Sequence, residues 1–260
     1  VIKGPAAVLY GRGSSGGLIN RITRKPGIDI ASLTTTVGSD ALKRGEFDVG
    51  QALGAVGSGW RITGALERSG SYRDQQFLHR ETIAPAIRLT MGDDTVLLGQ
   101  AEYLRDRRLT DFGIPSFQGR PVKVDRSTYY GAANAHEADY NQSEVFAQTV
   151  TLTHRFNDRL SFRNGFRHYD YRLDRLNTLP GSVNEARRTV ALNRSNIVRD
   201  ENGWSNQAEL TQRASLLGTT HTILYGFEIA RQAKDALIRS RNAIATVDLF
   251  NPVLPVLPVN

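Results

Sequence analysis

The chain has 260 residues, 40% of them hydrophobic and 23% charged, with a formal net charge of +7. These proportions exclude a disordered tail, and no run approaches the ~18 consecutive apolar residues of a membrane-spanning helix. A mean hydropathy of −0.36 fits a polar-surfaced protein or a transmembrane β-barrel, in which only alternate residues face lipid. Cysteine is absent, which removes disulfides, thiolate metal sites and cysteine nucleophiles. The basic excess, nearly all arginine, leaves nucleic acid, an anionic ligand and anionic lipid open as partners. The chain opens on Val1 and closes in the proline-rich run Asn251–Pro258. Both ends are read as internal to a longer protein.

Residues 1–27 form one compositional block. Gly4, Gly11, Gly13, Gly16, Gly17 and Gly27 punctuate short apolar pieces, a pattern that fits tight turns and close backbone approach. Gly11-Arg12-Gly13-Ser14-Ser15-Gly16 satisfies the dinucleotide-binding pattern. The residues after it, Leu18-Ile19-Asn20-Arg21-Ile22-Thr23, are β-branched and alternating and end at Pro26. A phosphate site of that kind needs a helix N-terminus and a later acidic residue, so the match is not a nucleotide loop.

From residue 28 the texture becomes two-residue alternation, the mark of strands with unlike faces. Phe47, Val49 and Leu53 oppose Glu46 and Asp48; Trp60, Ile62 and Leu66 oppose Arg61, Thr63 and Glu67. Ile83, Ile87, Leu89 and Met91 oppose Arg88 and Thr90. Leu160, Phe162 and Phe166 oppose Arg159, Ser161, Arg163, Arg167 and Tyr169; Ile223, Tyr225, Phe227 and Ile229 oppose Thr220, Thr222 and Glu228. Strands of ~9–12 residues suit a tilted bilayer crossing. Short turns are expected at 54–57, 92–94, 157–158 and 217–219, and long polar segments at about 69–80, 106–142, 172–188 and from 232 onward. Periodicity alone leaves a soluble β-sandwich open; the short–long alternation of connections favours an outer-membrane barrel.

The stretch from Ile2 to Pro26 (Ile2-Lys3-Gly4-Pro5-Ala6-Ala7-Val8-Leu9-Tyr10-Gly11, then Gly16-Gly17-Leu18-Ile19-Asn20 and Lys25-Pro26) resembles the end of the plug domain of TonB-dependent outer-membrane receptors. It departs mildly at Lys3, Ser15 and Arg24. Asp111–Pro121 with Arg126–Gly131 is similar to a long outer loop of catecholate-type siderophore receptors, and Asp248–Val253 to a later loop start. The resemblance implies an all-β architecture: the last part of a plug in residues 1–27, and in 28–260 the first half of a transmembrane antiparallel β-barrel. About nine or ten of ~22 strands would then be present. Such a piece has two unpaired edges and is expected to aggregate without its remaining strands.

The resemblance further implies import of a ferric siderophore, driven by the TonB–ExbB–ExbD energy-coupling complex acting through an upstream segment. Arginines and aromatics suit a planar anionic ligand, because guanidinium groups both stack on rings and donate several hydrogen bonds. The candidate ligand-binding residues are Tyr10, Arg105, Arg107, Phe112, Phe117, Arg120, Arg126, Tyr129 and Tyr130, with Arg108 in the same loop. Gly4, Pro5, Gly11, Gly13, Gly16, Gly17, Asn20 and Pro26 are read as structural parts of the plug. The bland reading is that loop arginines are ordinary solvated charge and that lumen arginines pair with carboxylates such as Glu46, Asp48 and Glu67.

No catalytic constellation is expected: Ser14 and Ser15 lack the nucleophile-elbow frame. His79, His136, His154, His168 and His221 show no metal-ligand spacing. The chain is therefore read as a receptor without cofactor or resident metal, seated in outer-membrane lipid and binding no nucleic acid. Haem, cobalamin or a carbohydrate as cargo, and a passive or structural barrel, remain open.

Overall fold

The computed structural model describes residues 22–54, 56–216 and 218–259. Its main element is one nine-stranded antiparallel sheet. The strands are β1 (Ile30–Val37), β2 (Lys43–Ala52), β3 (Gly59–Ser69), β4 (Leu78–Met91), β5 (Thr95–Arg108), β8 (Tyr140–Asn157), β9 (Leu160–Asn184), β10 (Thr189–Leu216) and β11 (Thr219–Asp248). They pair in sequence order, β1 to β11, with β1 and β11 as the two edges. The connection between β5 and β8 carries a two-residue hairpin, β6 (Ser116–Phe117) and β7 (Arg120–Pro121), and one short helix, α1 (Ala135–Ala138).

The alternation read from the sequence is realised with its apolar side outward. In β4 exposure alternates residue by residue, and Ile83, Ile87, Leu89 and Met91 are 43%, 46%, 37% and 50% exposed. Opposed residues of antiparallel strands share a face, so register carries that face across the sheet. One row runs Leu33, Phe47, Gly64, Ile83, Tyr103 and Phe146. Another joins Ile87, Gly99, Val150 and Phe166 and reaches Asn206 and Ile229. Among the described residues no second sheet packs on this apolar face, and its extent is that of a lipid-facing surface rather than half of a sandwich.

The short connections fall where expected, at 53–58, 92–94, 158–159 and 217–218, as do the long ones at 70–77 and 109–139. Two expectations are corrected. Residues 172–188 are not a polar loop but the upper arm of β9 and the tight turn at 185–188 that leads into β10; most of the region from 232 onward belongs to β11. These strands have 25, 28 and 30 residues rather than ~9–12. The reason is physical: above the bilayer a hairpin continues to satisfy its backbone in water with polar residues on both faces, so the alternation that marks the membrane portion disappears.

Candidate functional site

The opposite face of the sheet, which in a barrel is the lumen wall, carries a lattice of paired charges. Asp48, with its side chain 3% exposed, accepts two hydrogen bonds from Arg61 at 2.8 and 2.7 Å and a third from Arg24. Arg61 also donates to the carbonyl of Lys25 at 3.1 Å, and Gln100 donates to the Thr23 hydroxyl at 2.6 Å. These bonds fix the segment that leads from the glycine-rich block into β1. Pro26 is buried there, and Gly27 takes φ +107°, a conformation that favours glycine. Higher on the same face Arg44 bridges Glu46 at 2.8 Å and Glu67. The pairing of lumen arginines with Glu46, Asp48 and Glu67 is thus realised.

At the long-loop end of this face lies an open cleft of 580 Å³. Its floor comes from β5, β8 and β9 through Arg108, Ser143, Tyr171 and Arg175, and its rim from the 70–77 and 109–111 segments. Asp106 accepts from Arg80 at 2.8 Å and from Arg108 at 2.5 Å, so one carboxylate faces two guanidinium groups. Arg175 has a buried Nε without a hydrogen-bond partner among the described residues. The lining sets Arg108 and Arg175 against Asp106 and Asp111, and the Arg175 Nε is the donor left for an oxygen-rich anion.

The rim loop is held by its own packing. Arg73 donates to Asp111 at 2.6 Å and to the Thr128 carbonyl at 2.8 Å, tying the 70–77 segment to the 109–139 loop. One small core joins Val122 and Tyr130 to Val190, Leu192, Val247 and Leu249 at the tops of β10 and β11. A second joins Phe77, Leu109, Tyr129, Ala132 and Ala135, against which Leu254 and Leu257 pack. Pairing of β8 with β9 begins at Tyr140 opposite Leu176, so β9 beyond that point lacks β8 as a neighbour. Asp139 caps this edge, accepting from the Thr178 N–H at 2.9 Å and its hydroxyl at 3.2 Å. Arg194 donates to the Ala138 carbonyl at 2.9 Å. Burial pushes the Asp139 carboxyl above its ordinary pKa, against the opposing effect of the Thr178 bonds and Arg194.

The structure separates the candidate ligand residues. Phe112, Arg120 and Arg126 are exposed on the rim loop, and the Arg126 guanidinium lies 5.8 Å from the Tyr72 ring centroid. Phe117 is half-buried and meets Phe250 edge-on at 5.3 Å. Tyr129 and Tyr130 are 4% and 1% exposed, both rings packed inside the small cores of the loop. Tyr130 donates to the Leu249 carbonyl at 2.7 Å, and burial raises both phenol pKa values. Arg105 and Arg107 occupy the outward-facing register with Tyr103, not the lumen. Arg105 pairs with Glu144 at 3.4 Å, and Arg107 lies 5.4 Å from the Phe77 ring centroid. Tyr10, Gly4, Pro5, Gly11, Gly13, Gly16, Gly17 and Asn20 lie outside the described residues. Tyr171 and Arg175 line the cleft but are not among the candidates: in the sequence Tyr171 reads as the last residue of a strand and Arg175 as part of the 172–188 loop. Their shared parity with Arg163, Arg167 and Tyr169 was the available signal.

A single meander with a lipid-facing band, a charge-paired lumen wall and loops at one end defines part of an outer-membrane β-barrel. No family model matches the chain. It is 32% identical over 97% of its length to the metal-pseudopaline receptor CntO of Pseudomonas aeruginosa, covering 36% of that protein. It is 26% identical over 97% of its length to the catecholate siderophore receptor Fiu of Escherichia coli, again covering 36% of the relative. The crystal structure of the siderophore receptor PiuA from Acinetobacter baumannii superposes with a TM-score of 0.87 at 22% identity, covering 98% of this chain and 40% of that one. The chain thus spans little more than a third of the relatives it matches. Sequence and fold together place it among the TonB-dependent siderophore receptors of the outer membrane.

Proposed function

We propose that the protein binds a ferric siderophore of catecholate type at the long-loop end of its lumen and imports it by active transport coupled to TonB–ExbB–ExbD. The observation that carries this reading is the open cleft of Arg108, Tyr171 and Arg175 with its unpartnered Arg175 Nε, beside a rim loop on which Phe112, Arg120 and Arg126 are exposed. A ferric catecholate is an anionic octahedral complex that presents planar aromatic rings on its outside. Guanidinium groups recognise both its charge and its ring faces. Residues 1–27 serve as the end of the plug and 28–260 as barrel wall. The bonds from Arg61 and Gln100 to Lys25 and Thr23 support that division by anchoring the junction to the wall.

A second reading takes its support from the 32% identity to CntO: the cargo is a metal–pseudopaline complex. Equilibrium binding of both complexes to the intact receptor separates the two, with haem, cobalamin and an oligosaccharide as further arms. Saturable binding of the ferric catecholate, and its loss with Arg175→Ala, is the expected result. Binding of another cargo alone overturns the catecholate reading, and uptake that persists without TonB overturns coupled transport.

A further inference from the structure

Above the lipid-facing band, on the same outward face, register aligns four basic side chains on four adjacent strands. Lys43 of β2 lies opposite Arg68 of β3, Arg68 opposite His79 of β4, and His79 opposite Arg107 of β5. Directly opposed like charges destabilise neighbouring strands unless something neutralises them. Among the described residues, Lys43, Arg68 and Arg107 make no ion pair. The carboxylates within reach are already engaged or outnumbered. In the next row down, Glu144 pairs with Arg105 at 3.4 Å, and Glu81 is a single charge opposite that same Arg105. Farther along the cation row, Asp174 receives the Tyr140 hydroxyl at 3.2 Å.

Three features of the surface say what kind of anion belongs there. A groove of 490 Å³ crosses this face, lined by Val37, Lys43, Gly45, Leu66, Arg68 and His79. Gly45 has open space where a side chain would stand, and Val37 and Leu66 are 82% and 63% exposed. Val37 thus stands beside Lys43 in the cation row, and Gly45 and Leu66 lie one row below, where the groove ends at Glu81. The cation row stands four residues up the strands from the apolar row of Phe47 and Ile83, about 13 Å at the strand rise. From Met91 at the short-turn end to His79 the strand rises about 40 Å, or about 28 Å along the membrane normal at a tilt of about 45°, close to the ~30 Å thickness of the hydrocarbon core. Long extracellular loops and short periplasmic turns put this end of the strands in the outer leaflet.

We propose that Lys43, Arg68, His79 and Arg107 form a binding site for the phosphate groups of an outer-leaflet lipid, whose acyl chains lie against Val37, Leu66 and the band below. Arginine supplies a fork of donors matched to phosphate oxygens, and lysine a mobile point charge on a stem that covers apolar surface. The Phe77 ring, 5.4 Å from the Arg107 guanidinium, holds that head in the row. The site is independent of the cargo in the lumen and rests only on the barrel placement.

Native mass spectrometry of the intact receptor in nonionic detergent, incubated with bisphosphorylated lipid A, tests this. The double variant Lys43→Gln/Arg68→Gln is expected to lower retained lipid A about tenfold or more, a shift of roughly 1.4 kcal/mol in the binding free energy. Wild-type retention should fall as salt rises from about 50 to about 500 mM, since exposed charges are screened over that range. Arg172→Gln, outward-facing on β9 beside Asp200, serves as the control and should retain lipid A normally. Heat-modifiable mobility of the barrel monitors folding. The single variant Lys43→Gln provides the same comparison should the double variant fold poorly. Unchanged retention in a folded variant overturns the site, as does competition by inorganic phosphate at concentrations equal to lipid A, which marks a small-anion site without lipid.

Discussion

Replacing Asp139 by alanine removes the group that closes the free edge of β9. Two bonds are lost, from the Thr178 N–H at 2.9 Å and the Thr178 hydroxyl at 3.2 Å. Thr178 is itself 1% exposed, so its N–H does not regain water. A buried donor left without a partner costs about 1–3 kcal/mol, and the hydroxyl bond adds about 1 kcal/mol. The sum, about 2–4 kcal/mol, raises the open population of the 109–139 loop roughly 30- to 1,000-fold. Native-state proteolysis of the intact receptor reads this opening directly, because cleavage in exchange with fast reclosing tracks the open fraction. Asp139→Asn keeps an oxygen acceptor in place and sheds a charge that burial disfavours, so its loop should open no more than the wild-type loop. Equal protection in Asp139→Ala and wild type would refute the edge-capping role. Equal damage from Ala and Asn would show that the charge, through Arg194 at 3.8 Å, matters more than the hydrogen bonds.

The raised Asp139 pKa gives a pH signature with a definite sign. The folded loop holds the proton more tightly than the open one, so stability rises as pH falls through the native value toward the ordinary carboxylate value near 4. The difference in loop protection between wild type and Asp139→Asn should therefore shrink on acidification; a pH-independent difference contradicts it. Tyr130→Phe removes the 2.7 Å bond to the Leu249 carbonyl and should weaken docking of residues 249–258 by about 1 kcal/mol, measured as faster hydrogen exchange there. Arg61→Met strips the fork from Asp48, whose side chain is 3% exposed. Breaking a buried pair costs about 3–5 kcal/mol, and a midpoint of denaturation unchanged from wild type would contradict that. Gly59→Ala places a methyl 2.5 Å from the Gln51 carbonyl oxygen and 2.7 Å from the Gly27 nitrogen. Overpacking of this kind costs about 1–3 kcal/mol, and freer proteolysis near residues 23–29 is the expected readout.

The sequence by itself determined the membrane portion, because there each side chain has one of two solvents. Ile83, Ile87, Leu89 and Met91 must meet lipid and Arg88 and Thr90 must not, so burial period and strand period coincide and the residues can be read directly. The positions of the turns followed for the same reason. Where both faces of a hairpin meet water that constraint vanishes. The upper arms of β9 and β11 looked like loops although each pairs with β10, and the cleft residue Arg175 was hidden with them.

The roles of individual aromatics and arginines were decided only by tertiary structure. Tyr129 and Tyr130 have the composition of a ligand-facing pair, yet a long rim loop needs an apolar interior of its own, and β10, β11 and the 250–258 segment supply its other half. Arg105, Arg107 and Arg108 are sequence neighbours of one charge type. A period of two sends Arg108 to the cleft and the other two to the outer surface. There the register of four strands, which no single strand's sequence contains, aligns Arg107 with Lys43, Arg68 and His79. Composition showed an excess of positive charge; pairing across the sheet decided where that charge is neutralised by the protein and where it is left for something else.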